Sequence, residues 1–71
     1  MKESVYKLIE VVGSSTESWE KAATAAIDQA ATHLRDLRIA EVKEQDIHLE
    51  DGKPPVFRTR LLISFKYHGE G

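Results

Sequence analysis

Apolar and polar positions along the chain divide it into three strands and one helix. The clearest segment is the last, Val56 to Tyr67. At the two-residue period of a strand, Phe57, Leu61, Ile63, Phe65 and Tyr67 share one face with Thr59. Val56, Arg58, Arg60, Leu62, Ser64 and Lys66 share the other. The first face asks for an apolar layer on top. The second mixes two arginines with Val56 and Leu62, and suits neither a core nor plain water.

The earlier segments read in the same way. Val5 to Val12 is rich in β-branched residues and is predicted as a strand that stops at Gly13, with Val5, Ile9 and Val11 on one face and Tyr6, Leu8 and Val12 on the other. Gly13 to Ser18 reads as a turn, and Ser15 or Ser18 is the expected helix cap, with Glu17 and Glu20 placed to suit the helix dipole. The same turn lacks the lysine and second glycine of a phosphate-binding loop. Trp19 to Leu37 is the predicted helix, roughly 28 Å long, with Trp19, Ala23, Ala26, Ile27, Ala30, Leu34 and Leu37 forming one stripe. Its alanines allow a sheet to approach closely, and Trp19 reads as a packing anchor. Arg38 to Leu49 is the second strand, with Ala40, Val42, Glu44, Asp46 and His48 on one face and Ile39, Glu41, Lys43, Gln45 and Ile47 on the other. Glu50 to Pro55 is a loop, since Asp51-Gly52 marks a turn and prolines do not sit inside a central strand.

The connections give the topology. A crossing helix makes strands one and two run the same way, and a hairpin makes strand three run against both. The expected fold is α+β, β-α-β-β, with one domain over residues 1–71 and an antiparallel sheet of order 1-3-2 around a single helix. One helix covers one face. Nothing in the chain is left to cover the other.

Composition sharpens that point. Seventy-one residues form a small core, and there is no cysteine to staple it, so association with further copies is the expected stabiliser. The missing cysteine fits a cytoplasmic location. A net charge of −2 with 31% charged residues gives no electrostatic case for nucleic acid or a membrane surface. No apolar run approaches the ~20 residues of a membrane span, and Met1-Lys2-Glu3-Ser4 does not read as a signal peptide.

At this stage the chain resembles the dodecin family over nearly its whole length. The residues that carry the likeness are Val5 to Ser15, the alanine-rich helix, Ala40-Glu41-Val42 and Phe57 to Phe65. The resemblance implies a three-stranded sheet wrapped on one helix, twelve copies forming a hollow sphere, and storage of a small molecule instead of catalysis. Many members hold flavins in stacked pairs between subunits. Their flavin-stacking tryptophan, two residues before the Glu-Val of the second strand, corresponds to Ile39 here, and a frequent flavin-bonding glutamine corresponds to Arg58. Isoleucine has no π-face, so stacking worth ~0.5–1.5 kcal/mol is lost. An arginine donates hydrogen bonds only. The expectation is weak or lost affinity for riboflavin, FMN or FAD, as in the subgroup without the tryptophan.

Three groups of side chains remain as candidates. Arg58 and Arg60 point the same way and suit an anion, or an inter-subunit salt-bridge layer with Glu41 or other acids, which is the favoured reading. Gln45 and Lys66 are further polar contacts for a ligand. Glu44 and Asp46, followed by Glu50 and Asp51, offer oxygens for calcium or another divalent cation if symmetry copies bring them together; a solvated strand end is the simpler reading. His33, His48 and His68 show no metal-ligand spacing, and no nucleophile motif is present, so an enzyme reading has no residue to start from.

Overall fold

A computed structural model of the chain describes residues 3–67; Met1, Lys2 and His68 lie outside them. It contains β1 (Tyr6–Ser15), α1 (Trp19–Ala31), β2 (Leu37–His48) and β3 (Val56–Lys66). The sheet order is β1-β3-β2, with β3 antiparallel to both neighbours. The predicted α+β fold and its topology are therefore observed. Thr59, Leu61 and Ile63 of β3 are buried beneath α1, as their shared face requires. They meet Ala22, Ala26 and Ala30, with Ile9, Val11, Ala23, Ile27 and Leu37 packed around them.

β1 does not stop at Gly13. It continues to Ser15, and Gly13 sits inside the strand opposite Thr59. A Cβ at Gly13 would lie 1.9 Å from the Ala22 carbonyl oxygen and 3.0 Å from Ala26 Cβ. The glycine is there because the helix backbone rests directly on it. Ser18 is the helix cap, accepting a hydrogen bond from the Lys21 amide at 3.0 Å, while Ser15 accepts one from the Glu17 amide.

The helix is shorter than predicted, ending at Ala31 instead of Leu37. The Thr32 hydroxyl donates to the Gln29 carbonyl at 2.7 Å, and the amides of His33 and Leu34 both return to the Ala30 carbonyl. Asp36 then adopts a φ of 62°, a left-handed turn that aspartate tolerates better than most residues and that no helix continues through. Leu34 and Leu37 leave the stripe and Leu37 closes the end of the core.

Thirteen helical residues span roughly 20 Å, whereas strands of 10 to 12 residues span roughly 33–40 Å. The strands overshoot the helix. The described fold measures 56 × 20 × 15 Å with a radius of gyration of 14.8 Å, against about 11 Å for a compact chain of this length. α1 lies over β1 and β3 and barely reaches β2.

β2 corrects the predicted face assignment. Register shifts occur between Leu37 and Ile39 and between Val42 and Glu44. The second shift makes Lys43 an extra residue and inverts the alternation beyond it. Ala40 and Val42 pair with Ile63 and Leu61 on the helix face, but Glu44, Asp46 and His48 pair with Arg60, Arg58 and Val56 on the outer face. Gln45 and Ile47 move to the helix face, opposite Thr59 and Phe57.

Trp19 anchors the helix as expected. Its carbonyl accepts the buried Thr59 hydroxyl at 3.0 Å, its indole N–H donates to the Asp46 carbonyl at 3.0 Å, and its ring meets Phe57 edge-on at 5.2 Å. These contacts satisfy Thr59, the one buried polar side chain among the described residues. No helix among the described residues is long and apolar enough to cross a membrane.

Candidate functional site on the outer sheet face

The outer face divides into a charged band and an apolar end. In the band, Arg58 forms a two-pronged hydrogen bond with Asp46, Nε to Oδ1 and Nη2 to Oδ2, both 2.7 Å. Arg60 reaches both edge strands: its Nη2 lies 2.9 Å from Glu44 Oε1 on β2, and its Nε lies 3.5 Å from Glu10 Oε2 on β1. The latter is an ion pair but not an aligned hydrogen bond, and Arg60 Nε is the buried side-chain nitrogen left without one among the described residues. Val12 flanks this band, and together with Glu44, Asp46, Arg58 and Arg60 it lines a shallow hollow of about 190 Å³.

The register places these groups by cross-strand pairing of opposite charges. The Lys43 bulge turns Glu44 and Asp46 toward the arginines, and β3 presents Arg58 and Arg60 on one side because they are two residues apart. The arginines pair here with acids of the same chain, Asp46, Glu44 and Glu10, whereas the favoured reading placed their partners on another subunit. Glu41 is not one of them; it lies 3.7 Å from Lys43.

The hydrogen bond from Arg58 holds the Asp46 carboxyl below the ordinary carboxylate range; the charges of Arg58, Arg60 and His48 add to this and desolvation opposes it. Glu17 moves the same way through its hydrogen bond from Lys21. A carboxyl with a depressed folded pKa stabilises the fold above its unfolded pKa and loses that contribution as pH falls through the folded value. We therefore expect the Asp46 carboxyl resonance, followed by NMR, to titrate below the usual aspartate range. In Arg58→Ala it should return to that range, with acid unfolding beginning at higher pH. An unchanged titration in the variant would contradict the pairing.

At the apolar end, Ile39 pairs with Ser64, whose hydroxyl accepts the Ile39 amide at 3.2 Å. Ile39, Ser64, Tyr6 and Arg38 line an open hollow of about 400 Å³. Arg38 is held by its guanidinium to the Leu37 carbonyl at 3.2 Å and lies 4.0 Å from Asp36. Sequence reasoning missed Tyr6 and Arg38 as neighbours of Ile39, and Glu10 as a partner of Arg60; the β1–β3 register brings in Tyr6 and Glu10. Tyr6 on the same face as Leu8 and Val12 was the available signal.

The structure does not bring Ile39 and Arg58 together within one chain. Six residues of β3 separate their pairing positions, roughly 20 Å. Lys66 pairs with Tyr6 at the apolar end, and Gln45 lies on the opposite face from the arginines. Among the described residues no three acidic or histidine side chains converge as a metal site, and Glu44 and Asp46 each already face an arginine. Around this band Tyr6, Leu8, Val12 and Ile39 are 49%, 58%, 57% and 66% exposed.

These features define a small α+β sheet-and-helix protein whose polar chemistry and apolar surface share one uncovered face. The dodecin family model matches residues 5–68, and the chain belongs to the dodecin family. It is 41% identical over 63 residues to calcium dodecin of Mycobacterium tuberculosis, covering 89% of each chain. The solved structure of that calcium dodecin, described as calcium chelating with a novel calcium-binding site, superposes with a TM-score of 0.86 at 38% identity, over 96% of this chain and 97% of the other. Dodecin from Streptomyces coelicolor superposes with a TM-score of 0.87 at 29% identity, over 96% and 97%.

Proposed function

We propose that the chain is a subunit of a hollow homo-oligomer of about twelve copies that binds a small ligand between subunits and catalyses no reaction. The uncovered outer face carries this reading. Tyr6, Leu8, Val12 and Ile39 are exposed apolar side chains on the same face as the charge ladder, with Glu10 lying between Leu8 and Val12 along β1, and exposed apolar groups of that size mark interaction sites. The family membership supports the same assembly. Flavin binding in the family's usual manner is weak or absent, because Ile39 offers no ring and Arg58 already directs its Nε and Nη2 donors to Asp46 and has no acceptor to offer.

A second reading is favoured by the relatedness to calcium dodecin: a shell that binds a divalent cation. Glu44 and Asp46 of one chain do not fit a calcium ion, since arginines occupy them. Carboxylates from more than one copy would be required.

Light scattering tests the assembly, with a mass near twelve times 8.0 kDa expected; a well-folded monomer at micromolar concentration would overturn it. Titration with riboflavin and FMN, read by flavin fluorescence quenching, is expected to show affinity weaker than micromolar. The double variant Ile39→Trp, Arg58→Gln should bind riboflavin at least about tenfold more tightly, from restored stacking and an amide able to donate and accept. Metal analysis and a melting temperature sensitive to chelator distinguish the cation reading.

A further inference from the structure

The tip of the β2–β3 hairpin carries a chemistry that neither face of the sheet uses. Glu50 to Lys53 close a four-residue turn, in which the Lys53 amide donates to the Glu50 carbonyl at 3.1 Å. Gly52 takes a φ of 78° and Asp51 does not share that positive region, which is the type II arrangement. His48 to Pro55 are all exposed. A Cβ at Gly52 would meet nothing within 4 Å, and the Gly52 amide donates no hydrogen bond among the described residues. The turn is open on every side.

An aspartyl side chain can close on the main chain when the next amide nitrogen is uncrowded and the backbone can turn to meet it. Glycine removes the crowding, and a loop tip permits the turn. The other aspartates lack these conditions. Asp28 lies inside α1, where the amide of Gln29 is held by the helical ladder. Asp46 lies inside β2 before the β-branched Ile47, and both its carboxylate oxygens are held by Arg58 at 2.7 Å. Asp36 precedes Leu37, which packs against the core. Asp51 alone combines a free carboxylate, a glycine neighbour and an unrestrained turn among the described residues.

We propose that Asp51-Gly52 is a self-modifying site, at which Asp51 isomerises to isoaspartate in the folded protein. The Gly52 nitrogen attacks Asp51 Cγ, a C–N bond forms, and the amide proton leaves with the carboxyl hydroxyl as water. The cyclic imide then takes one water back. Opening at Cγ restores aspartate. Opening at the Asp51 main-chain carbonyl routes the chain through the side chain and leaves a free α-carboxylate. Mass is unchanged, and no oxidant or cofactor enters. The rerouted chain is one carbon longer across Asp51, so the Lys53 amide loses its register with the Glu50 carbonyl. The hairpin that sets Asp46 opposite Arg58 then loses its tight closure. The inference stands apart from the assembly and ligand readings.

The test ages the full-length protein, in whatever assembly it adopts, at neutral pH beside a synthetic peptide of residues 47–57. Peptide mapping by mass spectrometry reads isoaspartate at each aspartate, and ageing in heavy-oxygen water marks each ring opening with one heavy oxygen. Isoaspartate is expected to rise at Asp51 several-fold faster than at Asp28, Asp36 or Asp46. The rate should stay within a few-fold of the peptide's. Asp51→Glu, whose ring would need a further carbon, should fold as wild type by circular dichroism and take up no label at that position. A rate at Asp51 no higher than at the other aspartates overturns the proposal. A rate far below the peptide's also overturns it, because the folded protein would then be shielding the turn. Label retained at the same position in Asp51→Glu would sink the ring-closure route.

Discussion

Gly13→Ala is expected to remove a large share of the fold's stability. The added methyl would overlap the Ala22 carbonyl oxygen at 1.9 Å, and that oxygen is helix backbone with no rotamer to change. The helix must lift, which separates Ala22, Ala26 and Ala30 from Leu61 and Ile63. Overpacking of this kind costs about 1–3 kcal/mol or more, and a core this small rarely supplies more than about 3–5 kcal/mol. The thermal midpoint by circular dichroism should fall by about 10 °C or more. A midpoint within a few degrees of wild type would mean that α1 does not rest on Gly13.

The topology was legible from the sequence because it rests on signals that survive local error. Period-two alternation over Phe57 to Tyr67, an alanine-rich stripe and a proline-containing loop specify strand, helix and hairpin regardless of where each ends. The ends were less legible. Gly13 looked like a turn because a glycine needed for close approach and one needed for a turn are the same letter. Leu34 and Leu37 continued the helical period although Thr32 and Asp36 had already broken the backbone ladder. The bulge at Lys43 has no composition of its own, so Glu44 and Asp46 were placed on the wrong face. Their partners held the missing information. Asp46 opposite Arg58 and Glu44 opposite Arg60 belong to one register, and matching charges across the hairpin would have set it.

Leu8→Asp is the second large change expected. Leu8 is 58% exposed and pairs across the sheet with Ser64, so an aspartate there meets water in the isolated chain and leaves the monomer fold intact. In the proposed shell the same position lies between two outer faces. Burying a carboxylate there without a partner opposes the contact strongly. The mass by light scattering should drop several-fold, with an unchanged far-ultraviolet spectrum. An unaltered mass for Leu8→Asp would remove the outer face from the assembly.

Trp19 has a practical consequence for all of these measurements. It is the one indole in the chain, and it is wedged against Phe57 with its N–H bonded to the Asp46 carbonyl. Its emission therefore monitors detachment of the helix from the strands beneath it. A ligand settling beside Ile39, on the reverse of the sheet and near its other end, leaves that local environment undisturbed, so the wavelength of the indole emission, unlike its intensity, separates loss of structure from occupancy in a single cuvette.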